Sequence, residues 1–283
     1  MAERSRSTRS CIVIFTDLDG TLLDSETYDF TPALQALKRI HSLQIPLILV
    51  SSKTRAEIEV LRKKLSLDSP FISENGGGIF FPRTFSLPRD IAWDRIGGYK
   101  AIFTGRPIRE VLGRITELKK EFQFRGFSEM SGKEIAAITD LESEEAILAS
   151  RREFDEPIVL ENSGDDVEIF CKKAAELGLE CVAGGRFIHL YIGGNKGRAV
   201  EIVLNIYRKL KGPVLSIALG DSPNDIPMLE VVDKAVLMLG KGSVSIKELV
   251  HPDLIRADGG GPKVWNRVVL DILADLSPEP GVL

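Results

Sequence analysis

Asp17 and Asp19 stand two positions apart in Asp17-Leu18-Asp19-Gly20-Thr21, directly after the apolar run Ile12-Val13-Ile14-Phe15. Residues i and i+2 of an extended chain project to the same side, so a strand leaving a core presents both carboxylates to one reacting atom. Such a pair can divide the work of phosphoryl transfer, one acting as nucleophile and the other as proton carrier. A strand that merely ends in a polar turn would also carry Asp and Gly. What distinguishes this segment is a second acidic loop, Gly220-Asp221-Ser222-Pro223-Asn224-Asp225, behind the apolar run at 214–219. Acidic residues beyond a buried parallel strand lie where open α/β sheets bind ligands. Hard oxygen donors beside a phosphate suit Mg2+, which needs few carboxylates and keeps waters.

Two further segments complete a candidate phosphate site. Ser51 and Ser52 end the apolar run at 47–50, where hydroxyls and amides can donate to phosphate oxygens near a helix N-terminus. Lys196 opens a helical pattern after Gly193-Gly194-Asn195, where a lysine can serve either as a solvated surface charge or as a partner for an anionic site.

The elements that must position these groups alternate. Thr31-Pro32 predicts an N-cap and first-turn proline for a helix with Ala33, Leu34, Leu37, Ile40 and Leu43 on its apolar side. A strand at 45–50 follows, and Thr54 with Glu57 forms a capping box ahead of Ile58, Leu61 and Leu65. Strand, helix, strand, helix implies a parallel sheet. From residue 84 the pattern changes. It predicts a helix near 107–122, a polar stretch, a helix near 142–152 and a strand at 158–160. A helix near 167–177 follows, then a hairpin of strands 180–183 and 186–192 turning at Gly184-Gly185. The chain therefore divides into a discontinuous core at 1–83 and 192–283 and an inserted α/β cap at 84–191. Hinges are expected near 82–88 and 191–195, Pro262 opens the last helix, and residues 277–283 form a frayed tail.

Composition bounds the function. The chain has 283 residues, 43% hydrophobic and 28% charged, with a net charge of -4, which offers no basic field for nucleic acid. No apolar run approaches the ~20 residues of a spanning helix, and the stretch behind the arginine-bearing start is too short for a secretory signal. Cys11, Cys171 and Cys181 form no Cys-x-x-Cys pair and read as three buried thiols in a reducing cytoplasm.

The ordered motifs around Asp17, Ser51, Lys196 and Asp221 resemble those of the haloacid dehalogenase superfamily of phosphohydrolases. The likeness runs nearly continuously from Ile12 to about Arg267. Ser52-Lys53-Thr54-Arg55-Ala56-Glu57, Glu74-Asn75-Gly76-Gly77, Gly126-Phe127-Ser128-Glu129-Met130, Arg152-Glu153-Phe154-Asp155-Glu156-Pro157 and Gly185-Arg186-Phe187-Ile188-His189 resemble the mannosyl-3-phosphoglycerate phosphatase family. The resemblance implies a three-layer α/β core of Rossmann-like build with a type IIB cap. It also implies Mg2+-dependent removal of phosphate from mannosyl-3-phosphoglycerate, a small phosphorylated glycoside, through an aspartyl phosphate on Asp17. Glucosyl analogues and other sugar phosphates remain alternatives, as does a phosphomannomutase-like transferase, and the protein would be a monomer or homodimer. On this reading Asp17, Asp19 and Lys196 are catalytic, and Asp17, Asp19, Asp221 and Asp225 hold the metal. Ser51, Ser52, Lys196 and Asn224 meet phosphate. Lys53, Asn75, Arg152, Glu153, Glu156, Arg186 and His189 are the candidates for the rest of the substrate, since a carboxylate and a hexose call for cationic and hydroxyl-binding partners.

Overall fold

The computed structural model describes residues 10–161, 167–184, 187–240 and 249–276. The chain enters through β1 (Cys11–Thr16) and passes a 3-10 turn at Thr31–Ala33 into α1 (Leu34–Ser42), then β2 (Leu47–Val50), α2 (Arg55–Lys64) and β3 (Phe71–Ser73). It returns antiparallel through β4 (Gly78–Pro82), β5 (Asp94–Ile96) and β6 (Tyr99–Phe103). A second unit follows: α3 (Ile108–Leu118), β7 (Phe124–Gly126), α4 (Gly132–Thr139), α5 (Ser143–Ala149), β8 (Asp155–Leu160), α6 (Val167–Glu176), β9 (Glu180–Gly184) and β10 (Phe187–Tyr191). The first unit resumes with α7 (Lys196–Lys211), β11 (Val214–Gly220), α8 (Ile226–Glu230), β12 (Lys234–Leu239), β13 (Leu254–Asp258) and α9 (Gly261–Leu276).

The large sheet runs β13-β12-β11-β1-β2-β3-β4-β6-β5, parallel from β13 to β3. Alternation along β1 builds the layers. Ile14 packs with Leu47, Leu49, Ile58 and Trp265 on the face covered by α1, α2 and α9. Val13 and Phe15 pack with Ile48, Val200, Val203 and Leu204 on the face covered by α7 and α8. The small sheet, β7-β8-β10-β9, is antiparallel and rests Ile158, Ile188 and Leu190 against α3 and α6.

Four expectations change. Residues 94–103 hydrogen-bond to β4 and extend the large sheet, so they leave the second unit in which the sequence pattern placed them. The overlooked signal is Gly97-Gly98, a two-residue link between Ile96 and Tyr99, which pair directly. Thr31 is not an N-cap, because its hydroxyl is held by Asp29 and the helix begins only after the 3-10 turn; Leu34 and Leu43 of the expected apolar stripe are exposed. The polar stretch of the second unit contains α4, capped by Ser131 and Glu134. Cys171 and Cys181 form a disulfide joining α6 to β9, and Cys11 is half-buried, which overturns three buried thiols. The turn into β9 brings the two Cα atoms to 5.2 Å, a proximity that a separation of 10 residues does not disclose. Gly185, the middle of the expected hairpin turn, and the tail at 277–283 lie outside the described residues.

Candidate active site

Pairing of Thr16 with Leu219 ends β1 and β11 at one level, so Asp17 and Asp221 leave the sheet side by side. The Asp17 amide still donates to Leu219 O at 2.9 Å, and Trp265 Nε1 donates to Thr16 Oγ1 at 3.0 Å, fixing the strand end. Gly20 turns the chain with φ +82; a Cβ there would stand 2.4 Å from Asp221 Oδ2, so the close approach of the two acidic loops requires glycine. Gly261 N donates to Gly20 O at 2.7 Å, which gives the late glycine run a packing role against this turn.

Lys196 reaches the same point from the first turn of α7. Its Nζ donates to Asp17 Oδ1 at 2.6 Å and to Asp225 Oδ1 at 2.5 Å, and the residue is 1% exposed. A cation at a helix N-terminus opposes the helix dipole, so the two carboxylates must offset both that and desolvation. Burial works against its charge, yet Asp17 and Asp225 hold the ammonium above its ordinary pKa. Asn195 caps the helix by accepting from Arg198 N at 2.8 Å, while Gly76, at φ +99, lies where a Cβ would meet Asn195 O at 2.3 Å.

Asp225 is committed to this scaffold. Its Oδ2 accepts from the amides of Asp221 and Ser222, each at 3.0 Å, and Lys196 takes its other oxygen. Burial, then the charge of Asp225, pushes the Asp17 carboxyl well above its ordinary range, with Lys196 opposing. The same two causes bring Asp221 up to about 7. Asp17, Asp221 and Asp225 place carboxylate oxygens within 4.8 Å of one another, and Asp19 Oδ1 is buried without a partner. This excess of hard, buried, under-neutralised oxygens fits a divalent cation such as Mg2+, with Asp17 and Asp221 freer to ligate than Asp225.

These groups floor a cavity of about 770 Å³ whose roof is the second unit. Asp17, Asp19, Ser52, Lys53, Asp221 and Asn224 line it from below, and Arg152, Phe127, Phe187 and His189 from above. Lys53 Nζ lies 3.0 Å from Asp19 Oδ2, and burial of its charge is overcome by Asp19 and Glu57, so its pKa rises. Ser51 is buried, its hydroxyl accepting from Lys53 N at 3.1 Å, so Ser52 and not Ser51 faces the cavity.

The second unit is fastened to the first at several points. The Glu74 carboxylate accepts from the amides of Glu153, Phe154 and Asp155, and burial brings it up to about 7 although Arg152 and those amides favour the charge. Glu74 and Asn75 both adopt left-handed backbone, φ 48 and 56, to make this turn. Thr54 Oγ1 donates to Leu148 O at 2.9 Å, and the Tyr28 hydroxyl to Thr139 O at 3.3 Å.

Several substrate candidates are thus reassigned. Glu153 pairs with Arg55 at 3.0 Å and ties the two units together. Glu156 faces the helical side of the small sheet, where it accepts from Ser128 N at 2.8 Å and lines a separate cavity with Lys119 and Leu112. The reason is strand parity: on β8, Pro157 faces the large cavity and Glu156 the other side. Asn75 is buried behind the wall, linking Asn224 to Asp155. Arg186 lies outside the described residues. The site also draws on Tyr28, Glu74 and Asp155: Glu74 and Asp155 lie within segments that carry the family resemblance, whereas Tyr28, whose ring lies 4.8 Å from Lys53 Nζ, carries no local signal.

A three-layer α/β core, an inserted α/β unit over its carboxylate end, and this Asp–Lys–Asp constellation define a haloacid dehalogenase-like hydrolase. The family model described as haloacid dehalogenase-like hydrolase matches residues 14–86 and 185–251. The chain is 41% identical, over 94% of its length and 98% of that protein's, to a glucosyl-3-phosphoglycerate/mannosyl-3-phosphoglycerate phosphatase of Persephonella marina. It is 37% identical, over 92% and 97%, to the protein of the same name in Methanococcoides burtonii. It belongs to this family of phosphatases. Among solved structures, a haloalkanoate-superfamily phosphatase from Bacteroides thetaiotaomicron superposes with a TM-score of 0.63 at 20% identity, covering 97% of this chain and 98% of that one. A HAD subclass IIB sugar phosphatase gives a TM-score of 0.61 at 18% identity over 93% and 98%, a likeness of fold alone. No described helix is long and apolar enough to cross a membrane.

Proposed function

We propose that the chain hydrolyses the phosphate ester of mannosyl-3-phosphoglycerate and of glucosyl-3-phosphoglycerate, yielding the glycosylglycerate and free phosphate. The observation that carries the reaction is Asp17, held against Lys196 beside the Asp221 loop on the floor of a cavity large enough for a glycosylated phosphoester. The substrate class follows from relatives whose likeness extends through the second unit as well as the core.

An Asp17 oxygen attacks phosphorus as the bond to the ester oxygen breaks, giving an aspartyl phosphate. Asp19, on the same side of the strand exit, gives its proton to the leaving alkoxide, then takes one from the water that opens the intermediate and restores Asp17. Lys196 neutralises Asp17 so that a phosphate dianion can approach, and Ser52 and Asn224 offer donors to the phosphoryl oxygens. Mg2+ held by Asp17, the Asp19 backbone carbonyl and Asp221 would offset the remaining repulsion between carboxylate and phosphate. Arg152 and His189 face the glycosylglycerate from above, and Lys53, beside Asp19 in the same cavity, is a cation available to its carboxylate.

The test is phosphate release by the purified protein with Mg2+ from both glycosyl phosphoglycerates and from a panel of simple sugar phosphates. The glycosyl phosphoglycerates should lead by at least ~10²-fold in kcat/KM, with free phosphate and glycosylglycerate as the products. Equal rates across the panel would overturn the substrate assignment.

A further inference from the structure

Asp155 takes no part in the chemistry above, yet it is fully buried and gathers three partners. The guanidinium of Arg152 donates to its Oδ1. Asn75 Nδ2 lies 3.1 Å, and His189 Nδ1 2.9 Å, from its Oδ2. Asn75 passes the connection on, because its Oδ1 accepts from Asn224 Nδ2 at 3.0 Å on the loop that carries Asp221. Arg152 also donates to Ser52 O at 2.9 Å. One carboxylate at the start of β8 thereby orients two groups on the cavity roof and, through one amide, a group on its floor.

The protonation pattern follows from the neighbours. Oδ1 accepts from the Arg152 guanidinium and Oδ2 from the Asn75 amide, so this carboxylate serves as an acceptor on both oxygens. His189 Nδ1, 2.9 Å from Oδ2, then meets it as a donor. Burial, then the charges of Arg152 and Lys196, keep the imidazole neutral, bringing its pKa down to about 3. A neutral ring with its proton on Nδ1 carries a lone pair on Nε2. That ring lines the cavity next to Pro157 and Phe187, opposite the phosphate site.

We propose that Asp155 is the positioning residue for sugar recognition: it fixes His189 as a hydroxyl acceptor and holds Arg152 at the roof, so that a polyhydroxylated leaving group is read before the phosphate is cut. The proposal rests on the glycosyl phosphoglycerate reading. It explains why a charge is buried in the second unit where a hydrophobic residue would pack at less cost, since an apolar residue would leave His189 free to choose either tautomer.

Asp155→Asn keeps the shape but replaces one acceptor oxygen by an amide. With the glycosyl phosphoglycerates, its kcat/KM should fall by about 10–10²-fold, most of it in KM, as expected for leaving a buried polar contact unmade. With p-nitrophenyl phosphate, which has no sugar, the loss should be at least tenfold smaller. His189→Leu should show the same pattern, and the double variant should be no worse than Asp155→Asn alone, because the contact to His189 is already lost in that variant. His189→Gln can donate to Asp155 and still accept a hydroxyl, so it should recover most of the loss. In parallel, nitrogen NMR of the wild type should show the His189 proton on Nδ1, and Asp155→Asn should shift the tautomer. Equal losses on both kinds of substrate, an additive double variant, or an Nε2–H tautomer in the wild type would overturn the proposal. A wild type that cleaves p-nitrophenyl phosphate but neither glycosyl ester overturns instead the substrate reading and the sugar part of this one. The NMR measurement then still decides whether Asp155 sets the imidazole.

Discussion

Lys53 holds its ammonium 3.0 Å from Asp19 Oδ2, with the Tyr28 ring on one side and Glu57 3.8 Å away on the other. A cation thus stands against the carboxylate expected to carry the proton. It sits inside a cavity that must admit a substrate bearing both phosphate and carboxylate.

Lys53→Met keeps the apolar stem and removes the charge. Loss of a cation that orients an acid–base group and attracts an anionic ligand should lower kcat/KM by about 10²-fold. Steady-state assays with unchanged circular dichroism would establish this. A change below threefold would show that Lys53 only fills space.

Asp17→Asn preserves shape and Lys196 keeps its bond to Asp225, so the variant should fold normally. Turnover should fall by at least ~10⁴-fold, as for removal of other covalent nucleophiles. Peptide mapping after acid quench should find phosphate on the segment containing Asp17 in the wild type and none in the variant. Substantial activity in Asp17→Asn would sink the covalent mechanism.

Metal binding should be visible as stability. At a hundredfold excess over Kd, Mg2+ adds about 2.7 kcal/mol to a folded state that alone binds it. The chelated wild type should therefore melt several degrees lower than the Mg2+-loaded one, and Asp221→Asn should lose most of that difference. The variant should also be the more stable of the two in the absence of metal at pH 8. The Asp221 carboxyl is raised to about 7, chiefly by burial, so between about pH 4 and 7 the folded chain retains a proton that the unfolded chain releases. Stability from this group is present at low pH and is lost as pH rises, and asparagine escapes the loss. Identical melting curves with and without Mg2+ would contradict the site.

His189 titrates in the opposite sense. Its folded pKa is depressed to about 3, so below the ordinary value of 6.5 the unfolded chain binds the proton more readily. Stability from this group is complete above pH 6.5 and declines as pH falls toward 3. Between pH 7 and 4 the wild type should lose about 3 kcal/mol more than His189→Gln, at roughly 1.4 kcal/mol per unit below 6.5. Urea unfolding at the two pH values measures this, and equal losses would show that the imidazole is not buried neutral.

Local pattern was enough for the two acidic loops. Asp17, Asp19 and Asp221 follow apolar runs that had to be strands, and a strand's end is where its side chains reach solvent and ligand. Glu156 shows where local pattern fails. In a strand, a shift of one residue changes the face, and with β8 read as starting at Ile158 nothing set the parity of Glu156. Residues 94–103 show a second failure: two short strands linked by Gly97-Gly98 look like loop until β4 is available to pair with them. The disulfide between Cys171 and Cys181 likewise depends on how the turn into β9 folds back on α6.

What the sequence determined by itself was the layered α/β core, the carboxylates at its strand ends and the family to which they belong, because strand and helix periodicities and turn residues act over a few positions. Tertiary structure decided which distant groups meet. Lys196 lies 179 residues from Asp17 and Asp155 lies 80 from Asn75, yet both pairs are in hydrogen-bond contact. Their meeting is set by sheet register and by the seating of the second unit on Glu74, which are properties of the whole packed chain and of no single segment.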